Sequence, residues 1–127
     1  MTKRIEKRAL ERFGIPGAMI SFRKKNKIGL FDRFSKFMPL QNITKTGVCF
    51  ESDKKMDYGE GIFLEIVIPG EKKLLVQGNV RWNHNNFKGD RYLIGAQFLP
   101  FGKGRHLNSM NCLEQLRQID FKFGNRN

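Results

Sequence analysis

Apolar and polar residues alternate in short runs from Gly17 to Phe98, and the spacing changes only in the last stretch of the chain. Residues 18–23, 36–41, 47–51, 62–68, 73–82 and 92–98 each read as a strand, with turn-forming residues such as Pro69-Gly70 between them. The pattern is clearest in 73–82. There Leu74, Val76, Val80 and Trp82 alternate with Gln77, Asn79 and Arg81, as a half-buried strand requires. Gly78 falls on that apolar face and predicts a bulge or a close backbone approach. Tyr92, Ile94, Ala96 and Phe98 share one face in the same way, and residues 83–90 read as a polar loop. Beyond them Cys112, Leu116, Ile119 and Phe123 recur at the helical period of about 3.6. Asn111 and Glu114 form a capping box at the start of that helix. Six short strands with no helix between them favour antiparallel pairing. The predicted fold is therefore all-β, a six-stranded antiparallel barrel with a C-terminal α-helix over one open end.

The ends of this frame read differently. Residues 2–13 carry Ile5, Ala9 and Phe13 at four-residue spacing, and Gly14 and Pro16 stop the helix that this spacing predicts. Arg4, Arg8 and Arg12 would share one face of it. Like charges at that spacing disfavour a helix by about 0.2–0.5 kcal/mol per pair, so the segment orders best against an anion. Residues 1–16 thus form a flexible basic segment, and 17–127 the barrel and helix, within a single domain. A Phe-rich stretch at 27–37 sets Phe31, Phe34 and Phe37 among cations. It reads either as a contact surface or as rings folded back onto the barrel.

Charge narrows the function. The chain has 24 Lys and Arg against 12 Asp and Glu, a formal net charge of +12, which favours polyanions and phosphates. Eleven of those cations lie in residues 1–36, opposed there by Glu6, Glu11 and Asp32 alone. Nonspecific nucleic-acid binding is one reading of this excess, and solubility is another. The longest apolar run, at 62–68, is far short of the ~20 residues that span a bilayer, and it contains Glu65. No secretory apolar stretch follows the basic start, so a cytoplasmic protein with reduced thiols is expected. Cys49 and Cys112 have neither metal-ligand nor disulfide spacing and read as packing residues. His84 and His106 read as loop residues. No nucleophile–base constellation stands out, so no catalytic residue, metal or cofactor is assigned, and the expectation is a non-enzyme.

Two segments carry a more specific signal. Arg8-Ala9-Leu10-Glu11-Arg12 precedes the first strand, and Asn42-Ile43-Thr44-Lys45-Thr46-Gly47 reads as a polar turn running into another. A guanidinium fork gives two parallel charge-assisted hydrogen bonds to a phosphate, or to O6 and N7 of guanine. Asn42 and Thr44 both donate and accept hydrogen bonds, and Gly47 admits a close backbone approach. The same residue types also form a ligand-free Asx or ST turn. Together the segments resemble the signature of the PilZ domain family, RxxxR followed by [D/N]xSxxG. Gly78-Asn79-Val80-Arg81-Trp82 and Ile94-Gly95-Ala96-Gln97-Phe98 resemble that family's G-x-V-x-W and x-G-x-x-F strands. The resemblance runs from Arg8 to Phe98, with Thr44 in place of the serine.

The resemblance implies a PilZ-like barrel and a bacterial cyclic di-GMP receptor that changes conformation and signals to a protein partner. It implies that Arg8 and Arg12 hold phosphates and guanine while Asn42, Thr44 and Gly47 fix the other face. Arg4 and Arg8 form a second register of the arginine motif. Some members of the family act instead as protein adaptors with weak or no nucleotide binding. On that alternative the 31–37 region or the C-terminal helix makes the contact.

Overall fold

The computed structural model describes residues 15–25, 34–85 and 91–123. The helix predicted over 2–13, with Arg4, Arg8 and Arg12, lies outside the described residues, as do Phe31 and the far part of the 83–90 loop. Six strands follow in order: β1 (Met19–Lys24), β2 (Met38–Ile43), β3 (Gly47–Ser52), β4 (Gly61–Val67), β5 (Leu74–Asn85) and β6 (Tyr92–Phe98). One helix, α1 (Met110–Phe123), closes the described chain. The strands pair antiparallel throughout and close into a barrel in the order β1-β2-β3-β6-β5-β4. This is the predicted all-β barrel with a C-terminal helix.

The alternation seen in the sequence explains the core. In β4 the side chains of Ile62, Leu64 and Ile66 point inward and are essentially fully buried, while Phe63, Glu65 and Val67 point out. Burying each such aliphatic side chain stabilises by about 1.5–3 kcal/mol. Leu74, Val76 and Val80 of β5 and Ile94, Ala96 and Phe98 of β6 complete the interior from the facing strands. Pro69 and Gly70 turn the chain from β4 to β5. Gly70 has a φ of +85°, and the Glu71 N–H donates to the Ile68 carbonyl across the turn. That is a type II turn, which places proline and glycine at these two positions.

The helix is seated by one buried amide. Asn108 accepts from the Gln77 N–H at 2.7 Å and donates to the carbonyls of Gln77 and Leu99, both at 3.0 Å. This fixes the entry to α1 against β5. Cys112, Leu116 and Ile119 then bury the predicted stripe. The predicted cap moves: Ser109, not Asn111, precedes the first helical residue, and its Oγ accepts the Cys112 N–H at 3.1 Å. Asn111 sits inside the first turn, where a side chain cannot reach back to the third helical amide.

Two strand boundaries also shift. β2 begins and ends two residues later than its expected 36–41 and so carries Asn42 and Ile43. β5 runs on to Asn85, because His84 and Asn85 pair with Leu93 and Tyr92 of β6. The first part of the predicted 83–90 loop is therefore strand. Gly78 makes the expected close approach, since a Cβ there would press on the Gln97 carbonyl oxygen. The bulge in β5 falls three residues further on.

Candidate ligand-binding groove

Strict alternation would send Asn42 into the core. In β2, Leu40 pairs with Phe50 and Asn42 with Cys49, so Gln41 is an extra residue with no partner on β3. This β-bulge shifts the phase: Leu40 and Ile43 stay inside and Asn42 turns outward. β5 does the same. Val80 pairs with Ala96 and Trp82 with Gly95, which leaves Arg81 as the extra residue. Val80 is buried, but the indole of Trp82 emerges on the outer face, 38% exposed. Trp82 was expected inside with Leu74, Val76 and Val80. The slip at Arg81 puts it outside.

The two bulges face each other across the sheet. Asn42 pairs with Cys49, Cys49 with Gly95, and Gly95 with Trp82, one transverse row over β2, β3, β6 and β5. Gly95 makes the row possible, since a Cβ there would overlap the Trp82 indole. The result is a groove of about 440 Å³ with Cys49, Gly95 and Ala96 in its floor. Asn42, Thr44, Thr46 and Gly47 line one side, and Arg81, Trp82 and Gln97 the other. Cys49 is therefore an outward residue of the groove floor rather than part of the inner core, because β3 keeps Val48 and Phe50 inside.

The turn between β2 and β3 is narrower than the sequence pattern implied. The Thr44 N–H donates to the Gly47 carbonyl at 2.9 Å. Its Oγ1 accepts the Thr46 and Gly47 amides at 3.2 and 3.3 Å, an ST turn. The Thr44 hydroxyl proton has two nearby acceptors, Thr46 Oγ1 at 3.2 Å and the Gly47 carbonyl at 3.4 Å. Gly47 is held tight against β6, where a Cβ would fall on the Ala96 carbonyl oxygen. Thr44 thus shapes the turn, and the exposed Thr46 hydroxyl presents a second donor and acceptor beside it.

The groove is unsatisfied in a particular way. The Asn42 amide and the Trp82 indole N–H make no hydrogen bond to any described residue. The Trp82 ring lies over Gly95 and beside the His84 ring, centroids 5.3 Å apart. The Arg81 guanidinium lies 5.6 Å from the Tyr58 ring centre and has no carboxylate partner among the described residues. Among the described residues, no Asp or Glu lines the groove. Two side-chain amides (Asn42 and Gln97), two hydroxyls, an indole face and a guanidinium with no carboxylate partner among the described residues therefore surround a shallow floor. Such a set has the chemistry to meet a planar, hydrogen-bonding, anionic ligand.

Of the expected site residues, Asn42, Thr44 and Gly47 come together here, while Arg8 and Arg12 lie outside the described residues. Trp82, Arg81, Thr46 and Gln97 also line the groove; the sequence motifs contain them but did not assign them to the ligand. Among the described residues, no group of His, Cys, Asp and Glu is arranged to hold a metal ion. Cys112 is buried on α1, and desolvation pushes its thiol up to about 11. Among the described residues no helix is long and apolar enough to cross a membrane.

No protein-family model matches the chain. No curated protein matches it in sequence either. Solved structures do. The chain superposes on the 2.65 Å P2(1) crystal structure of K. pneumonia MrkH with a TM-score of 0.60 at 11% identity. It superposes on the K. pneumonia MrkH–c-di-GMP complex with the same TM-score at 12% identity. Each match covers 87% of this chain, which spans about half of the MrkH chain, 46% and 48%. The likeness is one of fold.

Proposed function

We propose that this protein is a PilZ-like receptor domain that binds cyclic di-GMP in the groove between the two bulges. One observation carries the reading. The bulges at Gln41 and Arg81 turn Asn42 and Trp82 outward onto one row, beside the Thr44–Gly47 turn. The fold it shares with MrkH, which has been solved in complex with c-di-GMP, supports the same ligand class.

In this reading the Trp82 indole stacks on one guanine, and Asn42 bonds its polar edge. Thr46 and the turn amides face the sugar–phosphate ring. Arg81 lies on the opposite rim for a second contact to phosphate. Arg8 and Arg12, from the basic N-terminal segment, close over the ligand and pair bidentately with phosphate or with a guanine edge. Ordering that segment on the barrel is the conformational change that a protein partner reads.

Calorimetry with cyclic di-GMP, GMP and duplex DNA tests this directly. We expect saturable binding of the cyclic dinucleotide, much weaker binding of GMP, and only a shallow dependence on salt. A steep log–log decline with salt, together with equal binding of duplex DNA, would identify a nonspecific polyanion binder instead. Arg12→Ala should cost about 1.5–3 kcal/mol of affinity, the worth of a charged hydrogen-bonded contact. Full affinity in Arg12→Ala combined with its loss in Arg4→Ala would move the motif to the Arg4/Arg8 register.

A further inference from the structure

The barrel wall away from the groove carries a second concavity of about 370 Å³, between the outer faces of β1, β4 and β5 and the loop leading into α1. Strand register builds it. Arg23 pairs with Phe63 and Phe63 with Gln77, while one row over Glu65 pairs with Leu75. Its apolar lining includes the outward-facing Phe63 and Leu75 together with Phe34 and Leu107, and Leu75 is 65% exposed. Its cations lie over aromatic faces. The Arg23 guanidinium is 4.6 Å from the Phe63 ring centre and 5.6 Å from that of Phe34, and Lys25 Nζ is 5.3 Å from Phe63.

Among the described residues, Arg23 and Lys25 have no ion-pair partner, although two carboxylates lie nearby. Glu65 is committed to Lys73 at 2.9 Å and Glu60 to Lys24 at 3.5 Å. Desolvation already lowers the pKa of Lys25, as expected for a cation partly removed from water without a partner. The wall therefore offers apolar surface and positive charge side by side. Both are complementary to an acidic, amphipathic segment.

We propose that this concavity docks a short amphipathic helix of a partner protein, two apolar side chains entering between Phe63, Leu75 and Leu107 while a carboxylate meets Arg23 and Lys25. β4 and β5, which carry Phe63 and Leu75, are hydrogen-bonded to strands on both sides, so a partner reaches this hollow through side chains rather than by adding a strand to either of them. An anionic membrane fits less well. The apolar residues line a depression, which a flat bilayer surface fills poorly. The inference stands independently of the cyclic dinucleotide reading, since the two sites share no residue.

The test is a display selection of random 16-residue peptides on the full chain, each enriched peptide then measured by fluorescence anisotropy. Enriched peptides should carry two apolar residues one helical turn apart with Asp or Glu within the next turn. Arg23→Glu should weaken them at least about tenfold, as charge reversal at a docked ion pair does. Leu75→Gln, at a position 65% exposed and outside the core, should weaken them several-fold while the protein stays folded. Lys55→Glu makes the same charge change at an exposed site outside the concavity and should leave them unchanged. No enrichment, enrichment without acidic residues, or equal loss in Lys55→Glu would overturn the proposal. So would Leu75→Gln without effect, or binding to phosphatidylserine vesicles, but not to peptides, that Leu75→Gln abolishes.

Discussion

β4 keeps step with both its neighbours over six consecutive residue pairs each, whereas β2 and β5 each slip by one residue where they meet β3 and β6. The regular wall, β1-β4-β5, therefore alternates faithfully, and its inward residues form much of the core. The bulged wall, β2-β3-β6-β5, gives up two regular pairs. In return it aims Asn42 and Trp82 at the same patch of outer surface. A barrel needs regularity to close and irregularity to present polar and aromatic groups together, and here the two demands fall on different walls. Bulges beside a site follow that logic, since one added residue re-aims every side chain after it.

The comparison breaks first in stability. Leu64 lies in the regular wall between Phe22 and Val76 and is 1% exposed. Leu64→Ala should cost about 2–5 kcal/mol through lost burial and the cavity left behind. Urea denaturation should register this as a lower midpoint with an unchanged slope. Cyclic di-GMP affinity of the folded protein should stay the same, because no groove residue contacts that position through the sheet register. An affinity loss matching the stability loss would show that the walls are not independent.

The reverse case lies in the bulged wall. Trp82→Ala should remove a stacking platform worth about 1–3 kcal/mol of affinity while barely moving the unfolding midpoint. Gly95→Ala sharpens the point. Its added Cβ would overlap the indole, so the ring must swing away. The two substitutions should then fail to add: the double variant should bind no worse than Trp82→Ala. Additive losses would mean that Trp82 does not stack on the ligand over Gly95.

The regular wall was the legible one. Ile62, Leu64, Ile66, Leu74 and Val76 alternate in the sequence as they do in the barrel, because unbroken pairing converts period two directly into inside and outside. The same rule misplaced Trp82, since nothing in Val80-Arg81-Trp82 marks Arg81 as an extra residue. That slip depends on which residue of β6 lies opposite, a non-local fact. The Thr44–Gly47 turn was legible because an ST turn is local chemistry, but the outward aim of Asn42 was not, since it depends on the slip of β2 against β3. The role of Gly95 was not, since a missing Cβ acquires meaning only when an indole from another strand lies over it. Ser109 outcompeted Asn111 as the cap for a similar reason: Asn108, pinned to Gln77 and Leu99, fixes where the helix can begin.

A smaller effect separates shaping the turn from touching the ligand. Thr44 Oγ1 accepts two backbone amides, so Thr44→Val should lose about 0.5–1.5 kcal/mol of stability from those hydrogen bonds. Ligand affinity should fall alongside it. Thr44→Ser retains the oxygen and should restore both. Thr46→Val, at the exposed neighbour, should lower affinity and leave stability untouched. If Thr44→Val bound normally once folded, the turn would be scaffold only.

The last prediction tests the regular wall through its helix. The Cys112 thiol donates to the Leu75 carbonyl at 3.8 Å, and burial raises its pKa from 9.0 to about 11. The neutral thiol is the form the folded state accommodates. Below the ordinary thiol value both folded and unfolded chains keep the proton, and the full contribution is present. Between about pH 9 and 11 the unfolded chain loses the proton first, so stability falls with rising pH and the contribution is gone above the folded-state value. Lysines titrate in the same range, so the comparison must be with Cys112→Ala. Denaturant midpoints measured from pH 8 to 10.5 should fall more steeply for the wild type than for the variant. Groove affinity, normalised to folded protein, should follow the same course with pH in both chains, since Cys112 anchors α1 to the far wall. Parallel stability curves would mean that the thiol is hydrated enough to ionise in place. The helix would then be held to β5 by Leu116 and Ile119 without help from Cys112.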